Sequence, residues 1–348
     1  MKPRLTLSFF VYLVVLAGTV ACGSVKVVTT LPDYADIAKA IGQDQIEVTA
    51  IVRGDQDAHF IRPKPSFALA LRKADLLVET GLDLELWLQT VIDNAGNSQI
   101  RSGQKGYVAI ATGIHLLEKP QTFSRSEGGV HVYGNPHVTN SPINMKVAAR
   151  NIAQGLIKVD PAHRTLYEQN LKIWLDMVDQ RLFGAELVDL LGGDQLCELA
   201  RKGQLIGFLE KQTLQDQPLV QKLGGWMKQM LPLRNLSVVT YHKNWVYFLK
   251  LYGLHEAGTV EPKPGIPPSP KHVTGLIQKM KDDHLKIILA ANYFDQQKIQ
   301  AVATRTQATA VVVPLYVGGE KGVDDCFALM DYWVNHLLEA ARQQNMIP

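Results

Sequence analysis

The chain has 348 residues, 36 Lys and Arg against 33 Asp and Glu, and a formal net charge of +3. That near-neutral balance, with no basic block, argues against nucleic-acid binding, where clustered cations supply the affinity. Three Cys in this length exclude a disulfide-stapled scaffold, and 46% hydrophobic residues suffice for one large core or two smaller ones.

Lys2 and Arg4 precede a charge-free run, Leu5–Ala21, and small residues follow through Ser24. A basic end, a short apolar middle and a small-residue exit describe a secretory signal over residues 1–21. As a membrane anchor the run falls somewhat short of the roughly 20 residues a bilayer requires. Cys22 follows Thr19-Val20-Ala21, which resembles a bacterial lipoprotein signal, although an aliphatic residue is usual where Thr19 stands. Two readings stay open: lipidation at Cys22, or ordinary cleavage after Ala21. Either places the mature protein in the periplasm or lipid-anchored on the outer side of a membrane. Cys197 and Cys326 could pair there or remain buried thiols.

The body alternates strands and helices. Val25–Thr30 is rich in β-branched residues and reads as a strand. Pro32-Asp33 opens a helix that stops at Gly42, and Ile46–Val52 is the next strand. Ser66 is expected to cap a helix carrying Leu69, Ala70 and Ala74; Leu76–Val78 reads as strand, Leu84–Ile92 as helix and Tyr107–Ile110 as strand. Pro142 begins a further helix. Asp160-Pro161 has the form of a helix start, Asp as cap and Pro in the first turn, with Leu171, Trp174, Leu175, Val178 and Leu182 at helical spacing. Residues 160–183 are therefore read as a helix connecting an N-terminal lobe, 25–159, to a C-terminal lobe, 184–348. After a Leu- and Gly-rich stretch, Gly184–Gly225, the expected elements are strand Leu236–Tyr241, a helix capped by Ser269-Pro270, strand Ile287–Ala291, helix Gln296–Thr306, strand Ala310–Val313 and helix Val323–Gln344. The Pro-rich run Glu261–Pro268 is expected to be a stiff loop. The fold class is α/β: two mostly parallel-sheet lobes joined by a long helix, with a site in the cleft between them.

Ligands of open α/β sheets sit beyond the carboxyl ends of the strands. His59, His137 and His242 all fall in such loops. Imidazole suits zinc and other late first-row ions, and three or four N/O donors complete a tetrahedral site. There is no local His-Glu-x-x-His motif, no Gly-rich phosphate loop and no nucleophile elbow.

The residues around those histidines resemble the metal-binding solute receptors of bacterial zinc and manganese ABC transporters. Asp57-Ala58-His59-Phe60 with Arg62-Pro63-Lys64-Pro65-Ser66 looks like the family's first ligand motif, although Pro often precedes that His. Ala74–Val78 and Gly81–Trp87 match its next block, and Gly134-Asn135-Pro136-His137 looks like the second motif. There the usual aromatic, then Leu-Asp-Pro, is replaced by Val138-Thr139-Asn140-Ser141-Pro142. Asp160-Pro161 and Tyr167–Asn170 match the linker, and Tyr241-His242-Lys243-Asn244-Trp245 the third motif.

The resemblance implies a monomeric receptor, not an enzyme, that captures a divalent metal through His59, His137 and His242 and passes it to an ABC permease. The family's fourth ligand, commonly Asp near the last strand, is expected around Leu315–Gly319, where no carboxylate stands. Asp295 and Glu261 are the substitutes considered, and His131 is an auxiliary donor expected to be exposed. A clear carboxylate pair, which manganese or iron (Mn2+, Fe2+) receptors of the family tend to use, is missing, so Zn2+ is the expected ligand. Asp57, Asn135 and backbone carbonyls are expected to accept the second ring N–H of each His. Two other readings share the three-His site: a secreted zinc hydrolase with an open fourth position, and a zinc-dependent adhesin or metal chaperone without a permease.

Overall fold

The computed structural model describes residues 24–120, 131–263 and 265–348. The leader and Cys22 lie outside the described residues. Val25–Thr29 (β1) is buried at every position but Lys26, as the central strand of a covered sheet must be. Helix α1 (Pro32–Gly42) leads to β2 (Ile46–Ala50), α2 (Pro65–Arg72) to β3 (Leu76–Glu79), and α3 (Leu88–Ala95) to β4 (Tyr107–Ala109). All pairings are parallel, in the order β2-β1-β3-β4. Val28 is flanked by Thr49 and Leu77.

Two helix starts in the first lobe differ from expectation. Ser66 does not cap α2; Lys64 holds that position and Pro65 opens the helix, its missing N–H being one the first turn cannot use. Leu84–Trp87 stays outside α3 because its side chains are committed elsewhere. Glu85 accepts the hydroxyls of Thr30 and Thr80 at 2.6 and 2.7 Å, and Trp87 donates to the Ala58 carbonyl at 2.8 Å.

Helix α4 (Pro142–Val159) covers the first sheet and α5 (Arg164–Phe183) follows a short 3-10 turn. Asp160 does not cap the backbone there. Its carboxylate accepts from the His163 ring at 2.6 Å and the Tyr167 hydroxyl at 2.5 Å. Helix α5 packs on α1 and α4 on one side. On the other it packs on α6 (Ala185–Leu191), α7 (Gly193–Arg201) and α9 (Gly225–Met230). Lys146 on α4 and Asp179 on α5 form a buried ion pair, Nζ to Oδ1 2.6 Å, with side chains 2% and 8% exposed.

The Gly184–Gly225 stretch, expected only as Leu- and Gly-rich, is mostly short helices: α6, α7, α8 (Leu205–Lys211), a hairpin of β5 (Thr213–Leu214) and β6 (Gln217–Pro218), then α9. Gly184 and Gly192, at φ 85° and 79°, separate α5, α6 and α7 in a conformation that side chains with a Cβ resist.

The second sheet contains β7 (Ser237–Thr240), β8 (His255–Thr259), β9 (Ile287–Ala291) and β10 (Thr309–Val313), interleaved with α10 (Val246–Tyr252), α11 (Pro270–Asp282) and α12 (Gln296–Thr306), and closed by α13 (Cys326–Gln343). Its order, β10-β9-β7-β8, is again all parallel and repeats the first lobe's connectivity in mirror listing. Ser269 caps α11 through the His272 amide, as expected. Helix α13 starts at Cys326, three residues later than expected, because Asp325 caps it through Ala328 N at 2.7 Å. Strand β8, missed from the sequence, is a half-buried edge strand with Glu256 and Gly258 in it and a register shift against β7. Cys197 and Cys326 are both free and buried.

The lobes meet along a polar and aromatic seam. Asp33 accepts from Val317 N at 2.9 Å and Asp36 from Cys326 N at 2.9 Å. Burial lifts the Asp33 carboxyl to about 7. Trp174 and Trp226 both pack on Phe327, with ring centroids 5.7 and 6.4 Å apart.

Candidate metal centre

Both sheets point their carboxyl ends at the seam, so the loops beyond β2, β4 and β7 converge there. His59 sits in a one-turn 3-10 helix, Ala58–Phe60, after β2. His137 immediately precedes the Val138–Asn140 turn leading into α4, and His242 follows β7. These three expected residues come together, and His131 joins them. Ring centroids lie 5.2 Å apart for His59–His131 and His59–His137, 6.1 Å for His131–His137, 6.2 Å for His59–His242 and 6.3 Å for His137–His242. His131 was expected to be exposed; its side chain is only 13% exposed, because Asp83 holds it inward.

The orientation of three of the four rings has an identifiable cause. Asp57 Oδ1 accepts both the His59 amide at 3.0 Å and its Nδ1–H at 2.7 Å. Asn135 Oδ1 does the same for His137, at 3.1 and 2.9 Å. The Asn135 amide cannot turn over, since its Nδ2 donates to Lys243 O at 2.6 Å and Glu118 Oε2 at 2.9 Å. Asp83 accepts His131 Nδ1–H at 2.9 Å and the Val132 amide at 2.8 Å. Asp57 and Asn135 stand where the sequence leads one to expect them, whereas nothing local in the sequence marks Asp83 as the partner of His131. A polar acceptor two residues before each His is the local signal that marks His59 and His137.

With Nδ1 donating, the neutral rings of His59, His131 and His137 carry their lone pairs on Nε2. His59 and His131 Nε2 face each other at 3.2 Å. Two lone pairs at that distance repel unless a proton or a cation lies between them. An ion held tetrahedrally at about 2.0–2.1 Å sets its donor nitrogens about 3.3 Å apart, so this edge already has ligand spacing. His137 Nε2 is buried with no hydrogen-bond partner, and so is His242 Nδ1. The His242 ring stands further off, and among the described residues no three His, Cys, Asp or Glu donors yet form a finished ion cage.

Electrostatics agree with a cation-binding role. Burial, then the neighbouring His59, pushes His242 down to about 4, and burial together with His59, His131 and His242 holds His137 well below the ordinary range. Both imidazoles are neutral in weakly acid solution, as a metal ligand must be. Burial works against the Asp57 carboxylate, but the bonds from His59 outweigh it and keep it below the usual range.

The two carboxylates considered as a fourth donor have other places. Asp295 caps α12, accepting from Gln297 N and Lys298 N at 3.0 and 3.3 Å, and pairs with Lys298. Glu261 is near the cluster, Oε1 3.8 Å from His242 Nδ1, too long for a hydrogen bond, and it accepts the Gly265 amide instead.

Comparison with known proteins identifies the family. The family model of the zinc-uptake complex component A, periplasmic, matches residues 27–181 and 216–340. The chain belongs to this family. It is a substrate-binding component of a metal ABC transporter, a receptor working outside the cytoplasm rather than an enzyme. The metal ABC transporter substrate-binding lipoprotein FimA of Streptococcus parasanguinis is 25% identical over 364 residues, covering 98% of this chain and 99% of its own. The manganese ABC transporter substrate-binding lipoprotein PsaA of Streptococcus pneumoniae is 25% identical over 316 residues, 87% and 86% of the two chains. Among solved structures, that of ZnuA superposes with a TM-score of 0.66 at 20% identity, covering 91% of this chain and 99% of that one. A manganese-bound periplasmic metal binding protein of Candidatus Liberibacter asiaticus gives 0.63 at 17%, covering 90% and 98%. The family match skips residues 182–215, the segment that builds α6, α7 and α8.

Proposed function

We propose that the receptor captures zinc through His59, His131, His137 and His242 and delivers it to an ABC permease. The observation that carries this reading is the convergence of four imidazoles, three of them locked through Nδ1, with an Nε2–Nε2 edge of 3.2 Å. Four nitrogen donors favour zinc over manganese on the affinity order of divalent ions, whereas manganese prefers oxygen donors. Four imidazoles also fill a tetrahedron and leave no position for the water that a zinc hydrolase activates. Delivery to a permease is supported by kinship with substrate-binding proteins of ABC transporters. Manganese is the second reading, because several relatives carry that metal in their names.

Competitive titration of the metal-free protein with zinc and manganese against a chelating indicator tests the assignment. Zinc should bind tighter than micromolar and at least about a hundredfold tighter than manganese. Each of His59→Ala, His131→Ala, His137→Ala and His242→Ala should weaken it. Tighter binding of manganese would select the second reading, and four variants with undiminished zinc affinity would refute the ligand set.

A further inference from the structure

We propose that Glu118 and Tyr247, which lie outside the ligand set, are positioning residues. Together they clasp the loops that carry His137 and His242 across the seam between the lobes, and so set how fast a bound metal leaves. The inference rests on the reading of those two histidines as ligands.

The clasp centres on Asn135. Its Oδ1 accepts the His137 amide and ring Nδ1–H. Its Nδ2 donates to Glu118 Oε2 at 2.9 Å and to Lys243 O at 2.6 Å. A side-chain amide has two N–H protons, so both are spent. The backbone around it is tied as well. Asn135 O accepts the Tyr247 hydroxyl at 2.6 Å, and that hydroxyl accepts the Leu117 amide at 3.2 Å. Asn135 N donates to Leu117 O at 2.8 Å. Glu118 Oε1 accepts from Lys243 Nζ at 3.1 Å. Leu117 and Glu118 follow β4 in the first lobe, whereas Lys243 directly follows His242 and Tyr247 stands on α10 in the second. Each ligand loop therefore ends on atoms of the opposite lobe. Asn140, donating to Asn244 O at 2.8 Å, adds a buried bond across the same seam.

The contacts differ in weight. The Lys243–Glu118 ion pair has side chains 49% and 30% exposed, and a pair so wet contributes little. Asn135 and Tyr247 are 4% and 5% exposed. Their bonds lie out of water, where a lost partner leaves a polar group unmet. Glu118 therefore acts chiefly through its hold on Asn135. The backbone shows the cost of the arrangement. Glu118 has φ 50°, a left-handed conformation that residues with a Cβ resist. Gly134 has φ 117°, and a Cβ there would meet Leu117 O at 2.9 Å. Both departures bring residues 117–118 against 134–135. Glu118 and Lys243 form the wet end of this chain of contacts and His137 the dry end, so a disturbance at the surface reaches the ligand through one amide.

Stopped-flow release of zinc from the loaded full-length receptor into excess chelator tests the clasp. Glu118→Ala and Tyr247→Phe should each release zinc at least about fivefold faster, with the association rate within about twofold of the wild type, because neither side chain is a ligand. Glu118→Gln keeps an oxygen for Asn135 Nδ2 and loses the charge, so its release should stay within about twofold of the wild type. In an Asn135→Ala background Glu118→Ala should add nothing further, as expected of a residue acting through Asn135. His137→Ala is the control and should speed release or abolish binding. Unchanged release in Glu118→Ala or in Tyr247→Phe, with His137→Ala impaired, overturns the clasp and leaves the ligand set standing. Unchanged release in all three strikes the ligand reading itself. Glu118→Gln as fast as Glu118→Ala, or full additivity with Asn135→Ala, overturns the route through Asn135.

Discussion

Asp83 offers the sharpest test of the four-histidine site, because it touches no ion itself. Its carboxylate holds His131 Nδ1–H at 2.9 Å and the Val132 amide at 2.8 Å, and its side chain is 12% exposed. Asp83→Ala frees the His131 ring to rotate and removes the acceptor that keeps its lone pair on Nε2. Loss of such a partner costs metal sites about 10–100-fold in affinity, which is about 1.4–2.7 kcal/mol. The loss should appear as a higher zinc Kd in indicator competition at pH 7.5, with unchanged stoichiometry. Asp295→Ala, which touches the α12 terminus instead, should shift the Kd less than about twofold. Far-ultraviolet circular dichroism of both variants should match the wild type. If Asp83→Ala binds zinc as tightly as the wild type, His131 is not a ligand and the tetrahedral set is wrong.

Two further outcomes follow from buried groups. A His whose native pKa lies near 4 stays neutral while the unfolded chain takes up a proton, so its stabilising contribution is complete above about 6.5 and is lost as pH falls toward about 4. The metal-free wild type should therefore lose roughly 2 kcal/mol more than His242→Asn between pH 7 and pH 5 in urea unfolding; equal losses would count against it. Lys146→Met should destabilise the protein by about 3–5 kcal/mol by stranding Asp179, and adding Asp179→Leu should restore most of that in the same assay. A double variant as weak as the single one would show that the pair is not the cause.

Much of the fold is legible in the sequence. The strands β1, β9 and β10 are rich in β-branched and aliphatic residues, which marks them as strands; β9 is buried at every position, and Ile287–Ala291 has its expected bounds. His59 and His137 carry a local mark, the Asp or Asn two residues earlier. His131 carries none. Its partner Asp83 lies 48 positions away, and only the folding of the loop beyond β3 brings the two together. The short helices between Gly184 and Gly225 were hidden for a different reason: each is seven to nine residues or fewer, below the length at which periodicity separates helix from loop. Strand β8 was lost to its own composition, since an edge position tolerates Glu and Gly that a central one would not.

The buried, unpartnered nitrogens of His137 and His242 bear on how the receptor holds its cargo. A polar atom sealed from water without a bond raises the energy of the metal-free fold, by about 1–3 kcal/mol each. An arriving cation therefore relieves a tension already present in the protein, besides forming new bonds. On the proposed ligand set, metal binding should raise thermal tolerance and protease resistance, which makes either a gauge of cargo. A partner that pries one imidazole loose reinstates the tension and turns a tight grip into a quick release.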